Sequence, residues 1–227
     1  MGRDGQPKER QRRQLERKLN QRASYDRILI VTEGEKTEPY YFREICKTHR
    51  LQTTNVMVKP CEFGTAPIQV VQFAKTLLES GDQHKRIQPR AFEQVFAVFD
   101  RDDHKSFFDA LNLAESLDGK LKNDVKQPVS FRAITSVPCF ELWLLLHYQN
   151  VQALRNRDDV YSRLRQYIPG YTKSADNIFT TTCGHLDTAI QRAEKLAGQS
   201  DARTDSEPFT NVFELVNQLI TMRSPKG

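Results

Sequence analysis

The chain has 227 residues, enough for one domain of ordinary size with an appendage, and 38% hydrophobic residues supply a sizeable core under a heavily charged surface. No run of about 18 apolar residues occurs, which argues against a membrane-spanning helix, and Met1 to Gly5 lack a signal-like apolar core, so a cytoplasmic protein is expected. The net charge of +5 lies in residues 1–23, with eight Lys or Arg against three acids, and residues 24–227 are neutral overall.

That basic arm contains Arg10, Arg12, Arg13, Arg17 and Lys18. Arms of this kind contact nucleic-acid phosphates, and a solvated, frayed terminus is the plainer alternative. After it, Arg27-Ile28-Leu29-Ile30-Val31-Thr32 is a short β-branched run that reads as a central strand. It ends in Glu33-Gly34-Glu35-Lys36-Thr37-Glu38-Pro39, and an aromatic-rich helical stretch covers 40–46. A second strand is predicted over 55–60. The following helix has Thr65 as cap and Pro67 in its first turn, and Ser80-Gly81 closes it.

Gln94-Val95-Phe96-Ala97-Val98-Phe99 is apolar enough for a strand buried on both faces. It delivers Asp100-Arg101-Asp102-Asp103-His104 to the carboxyl end of the sheet and leads into a helix over 105–117. Asp102 or Asp103 could instead cap that helix. A fourth strand is predicted over 129–134, and the nearly unbroken apolar run after Pro138 predicts a short helix buried all round. Helical periods over 158–167, 186–196 and 208–222 end the chain, with a polar linker over 199–207 and no internal repeat. Cys46, Cys61, Cys139 and Cys183 are too scattered for a zinc site or a disulfide framework and read as reduced, mostly buried thiols.

Strand–helix alternation predicts an α/β fold with a mostly parallel four-stranded sheet flanked by helices over 24–150. A helical extension over 151–227 is expected to pack on it. Ligands of such sheets sit at the carboxyl ends of the strands. There Glu33 from one strand and Asp100 and Asp102 from another make an acidic triad. Acids drawn together repel unless a cation joins them. Oxygen ligands without a His/Cys set favour Mg²⁺ (or Mn²⁺) over zinc, and phosphoryl chemistry is the usual service of such a site.

Three motifs in order over residues 28–148 carry a resemblance. They are Ile30-Val31-Thr32-Glu33-Gly34-Glu35-Lys36-Thr37-Glu38-Pro39-Tyr40-Tyr41-Phe42, Val98-Phe99-Asp100-Arg101-Asp102-Asp103-His104, and Ser136-Val137-Pro138-Cys139-Phe140-Glu141-Leu142-Trp143-Leu144-Leu145-Leu146-His147. Together they resemble the RloB-like family of bacterial defence loci. The Glu33-Gly34 and Asp100-x-Asp102 pair resembles the TOPRIM fold of topoisomerases, primases and OLD-type nucleases. The resemblance implies a Rossmann-like TOPRIM core and a nuclease-like effector in abortive-infection defence. An AAA-type ATPase is the implied partner, and oligomerisation is compatible with it. It also implies Glu33 as general acid/base or metal ligand, with Asp100 and Asp102 holding Mg²⁺. Related motifs often place a second acid where this chain has Thr37, so Glu35 or Glu38 takes that part.

Glu141 must find a partner or a metal, since an unpaired buried carboxylate is costly. His147 reads as a satisfied core histidine and Trp143 as core. Lys36, His104 and Lys173 are candidates for phosphate contact. The leading function is a metal-dependent phosphodiesterase acting on DNA or RNA. The alternative is a non-catalytic scaffold that binds metal or nucleotide and docks on the ATPase. Deleting residues 1–23 is expected to flatten the salt dependence of nucleic-acid affinity by up to about five phosphate contacts in the slope of log K against log [salt]. An unchanged slope would assign the arm to tethering or partner binding.

Overall fold

The computed structural model describes residues 26–101, 105–154, 156–203 and 208–222. Strands β1 (Ile28–Thr32), β2 (Val56–Pro60), β3 (Gln94–Asp100) and β4 (Ser130–Val137) are parallel. A two-residue strand β5 (Phe209–Thr210) pairs antiparallel with the end of β4, giving the order β2-β1-β3-β4-β5. The helices are α1 (Thr37–Thr48), α2 (Pro67–Ser80), α3 (Phe107–Leu117), α4 (Glu141–Leu146), α5 (Arg157–Tyr167), α6 (Ile178–Thr182), α7 (Leu186–Ala197) and α8 (Val212–Thr221).

Side chains alternate across a strand, so each central strand feeds two cores. Ile28 and Ile30 of β1 and Phe96 and Val98 of β3 face one layer, where they meet α1, α4 and the helices of the extension. Leu29, Val31, Val95, Ala97 and Phe99 face the other, against α2 and α3. Each fully buried Val, Leu, Ile or Phe side chain contributes about 1.5–3 kcal/mol. An unbroken apolar run is therefore what a strand between two helix layers requires.

The extension shares the first of these cores. Val160, Leu164, Phe179, Ala189, Leu215 and Leu219 lie in one cluster with Ile28, Tyr41 and Trp143. Trp143 is fully buried, as the sequence predicts, and its Nε1–H donates to the Tyr41 hydroxyl at 2.8 Å. Phe140 and Phe179 pack edge-on against Tyr41 at 5.6 and 5.5 Å. The short helix α4 is buried at all six positions, also as predicted.

Several sequence-based boundaries need correction. The sheet has five strands rather than four, and the last helix begins at Val212 rather than Pro208. Two residues are too few to show a strand period, and Phe209 and Val212 fit a helical spacing equally well. The cap position of α2 is Ala66, not Thr65, and its backbone N–H donates to Gln69 Oε1 at 3.1 Å. The cap position of α3 is Ser106, three residues beyond Asp103. The short helix α6 escaped prediction because three of its five residues are threonine.

His147 is only half satisfied. It is 1% exposed, its Nδ1 lies 3.0 Å from the Trp143 carbonyl oxygen, and its Nε2 has no partner among the described residues. Burial pushes its pKa down to about 4, helped by the nearby charges of His185 and Arg192. A histidine whose folded pKa is depressed contributes stability that is complete above its unfolded pKa of about 6.5 and is lost as pH falls toward 4. That loss is on the order of 3 kcal/mol. Denaturant titrations of wild type and His147→Gln between pH 7 and pH 4 should show a shallower acid-side decline in the variant. Parallel profiles would contradict the assignment.

Candidate active site

Parallel pairing places the first acids. Thr32 is opposite Val98 in the β1/β3 register, so β3 continues two residues past the end of β1. The Glu33 backbone N–H donates to the Val98 carbonyl at 2.9 Å, and Glu33 Oε2 accepts the Asp100 backbone N–H at 3.0 Å. The two residues are thereby clamped side by side at the carboxyl edge. The Asp100 carboxyl also accepts the Phe140 backbone N–H, tying the end of β3 to the start of α4.

Two further acids come from helix starts. Glu38 stands in the first turn of α1 and accepts its own backbone N–H. Its carboxylate lies directly against Gly34, where an added Cβ would overlap Glu38 Oε2. A side chain at position 34 would thus displace the Glu38 carboxylate from the place it holds. Glu141 opens α4 and accepts the Tyr171 hydroxyl at 3.0 Å and the Cys139 thiol. Glu38, Asp100 and Glu141 are 8%, 7% and 2% exposed, and Glu33 is half-buried.

Burying these groups together is electrostatically unfavourable. Burial raises the Glu38 pKa to about 7, and the charges of Glu141 and Glu33 push the same way. Burial likewise lifts Asp100 well above the usual carboxylate range, reinforced by Glu38, Glu33 and Glu141. The neighbouring Cys139 thiol is raised by burial and by Glu141 and Asp100. Glu38 and Asp100 are thus made harder to ionise by the acids around them, as expected of carboxylates sharing one site.

The cleft also holds cationic side chains. Glu33, Glu38, Asp100 and Glu141 line a cleft of about 260 Å³ together with Lys173 and Arg157, and Lys36 stands at its exposed lip. Lys173 comes from the loop between α5 and α6. The Thr37 hydroxyl donates to the Lys173 carbonyl at 2.8 Å, and Lys36 Nζ reaches Ser174 Oγ at 3.5 Å. The Tyr161 ring lies 5.8 Å from Lys173 Nζ and 6.0 Å from the Arg157 guanidinium, within cation–π range of both. Burial disfavours the Lys173 ammonium, yet Glu141 and Tyr161 more than offset it and its pKa rises.

The predicted residues divide as follows. Glu33, Asp100, Glu38, Glu141, Lys36 and Lys173 all line the cleft. Glu35 stays exposed at the lip, so Glu38 is the second acid of the first motif that joins the buried set. Asp102, His104 and the arm residues Arg10, Arg12, Arg13, Arg17 and Lys18 lie outside the described residues. Sequence reasoning missed Arg157, Tyr171 and the tethering role of Thr37. Only the tethering threonine had a sequence cue, standing where an acid was expected.

Among the described residues no three Asp, Glu, His or Cys side chains already form a cation cage. The donors nonetheless fit a hard divalent ion, being all oxygen and mutually repelling. A family model for RloB-like proteins matches residues 28–219, a stretch that takes in every strand and the cleft. The chain belongs to the RloB-like family. Neither a curated protein nor a solved structure matches it.

A stability test of this RloB-like protein follows from Glu38. Its raised folded pKa favours the protonated form, so its contribution to stability is lost as pH rises from about 4.5 to 7. In chelator at pH 8, Glu38→Gln should be the more stable protein, by up to about 3 kcal/mol, with the gap closing below pH 4.5. Millimolar Mg²⁺ should narrow the gap by stabilising wild type. Equal denaturation midpoints at pH 8 in chelator would show that the acids do not strain one another.

Proposed function

We propose that this protein is a TOPRIM-type phosphodiesterase dependent on Mg²⁺ or Mn²⁺, cutting DNA or RNA. The observation that carries the reading is that Glu33, Glu38, Asp100 and Glu141 line one small cleft together with Arg157 and Lys173. A phosphodiester needs both kinds of group. Its anionic oxygens call for fixed cations, and the acids alone would repel it.

In this reading Glu33, Asp100 and Asp102 hold the ion, with Glu38 and Glu141 beside them. A bound divalent ion supplies charge stabilisation to the phosphoryl group and lowers the pKa of water. Lys173 and Arg157 orient the phosphate, held in place by Tyr161 and the Thr37 tether. The Tyr171 hydroxyl fixes the Glu141 carboxylate. Glu33, partly solvated and braced by the Asp100 N–H, is the acid best placed to exchange a proton with water or a leaving oxygen. A role in bacterial defence with an AAA-type ATPase partner rests on the family resemblance.

Asp100→Asn keeps shape and removes the charge a divalent ion needs. It mimics the protonated carboxyl that the metal-free fold already favours, so the variant should fold. Phosphodiester cleavage should fall at least 100-fold, about 2.7 kcal/mol of barrier, while Asp103→Asn should fall far less. The readout is Mg²⁺-dependent cleavage of nucleic acid with the genomic neighbour co-produced. Equal activity in both variants would reject the metallonuclease and leave a scaffold that docks on the ATPase.

A further inference from the structure

Phe63 is 47% exposed, the most exposed large hydrophobic side chain among the described residues. It lies on the loop between β2 and α2. That loop starts beside the first acid: the Cys61 N–H donates to the Thr32 carbonyl at 2.8 Å, and the Cys61 thiol feels the Glu33 charge. Two residues past Phe63, Thr65 lines the cleft itself.

The loop is built to hold this ring outward. Cys61 Sγ accepts the backbone N–H groups of Phe63 and Gly64. Gly64 has φ 123°, a region that favours glycine, and an added Cβ would overlap Gln69 Oε1. Gln69 is itself occupied by the Ala66 N–H. One side of the Phe63 ring packs edge-on against buried Phe73 at 4.9 Å, which fixes its position while much of it stays in water. A rigid, half-exposed aromatic two residues from the cleft-lining Thr65 has the character of the stacking platforms in proteins that bind single strands.

We infer that the site takes single-stranded nucleic acid, with a base next to the scissile phosphate stacked on Phe63. The inference uses the phosphodiesterase reading to place the scissile phosphate. Asp100, Glu38 and Glu141 are recessed, so the phosphate has to enter the cleft while a neighbouring base turns its face to Phe63. A duplex keeps its bases stacked inside a stiff rod and cannot offer both at once, whereas an unpaired strand can.

The test uses the full chain and a short fluorescein-labelled oligonucleotide of mixed sequence, alone and annealed to its complement. Binding is read by anisotropy in Ca²⁺ and cleavage in Mg²⁺. Phe63→Leu keeps apolar packing on Phe73 but has no π face, while Phe63→Tyr keeps one. The wild type should bind the single strand at least about 10-fold more tightly than the duplex. Phe63→Leu should weaken single-strand binding about 5- to 100-fold, Phe63→Tyr should stay near wild type, and weak duplex binding should not change. Equal affinity for strand and duplex, or wild-type single-strand binding by Phe63→Leu, would overturn the inference while leaving the phosphodiesterase reading intact. Phe63-dependent single-strand binding without Mg²⁺-dependent cleavage would support the inference and overturn the phosphodiesterase reading.

Discussion

Carboxylates buried side by side resist ionisation unless positive charge compensates them, and much of the site is arranged around that constraint. Asp100 and Glu38 are pushed toward their protonated forms by burial and by one another. A chain selected for stability alone would place apolar or paired residues there, since clustered buried charge weakens a fold. The fold instead spends backbone hydrogen bonds to keep the acids in place. Glu33 takes the Asp100 N–H and Asp100 takes the Phe140 N–H. Strain kept at a site and supported from outside it is the pattern expected where function sets the requirement.

The cationic side chains account for the helical extension. Arg157 and Lys173 come from beyond residue 150, yet they share the cleft with acids presented by β1, α1, β3 and α4. Three contacts tie the 171–174 loop to the cleft: the Tyr171 hydroxyl on Glu141, the Thr37 hydroxyl on the Lys173 carbonyl and Lys36 Nζ on Ser174 Oγ. Because helices of the extension share a core with β1 and α1, the cationic residues are placed by the same packing that forms the sheet layer. Cleft and core therefore depend on one another.

What could be read from the sequence follows from the range of each signal. The central strands show as apolar runs because burial on both faces leaves few polar positions, and Glu33, just past β1, and Asp100, the last residue of β3, fall at the carboxyl edge by the rule of parallel sheets. Glu141 drew notice as a charge in an apolar helix. Arg157 and Tyr171 carried no comparable signal, because their meaning comes from a cleft assembled by distant parts of the chain, as in the Tyr171 hydroxyl on Glu141. The two-residue β5 was invisible for a different reason: its pairing with Ser136 and Val137 is a tertiary event that two residues cannot announce. Lys173 lay between these cases, visible as a loop lysine but without a direction until the Thr37 tether supplied one.

Whether the acids form one cation site beside the Lys173 loop can be read from anomalous scattering of crystals of the full chain grown or soaked with Mn²⁺. A Mn²⁺ peak bound by Glu33 and Asp100 within the cleft is expected. A crystal saturated with Mn²⁺ whose peaks all lie elsewhere would contradict that site.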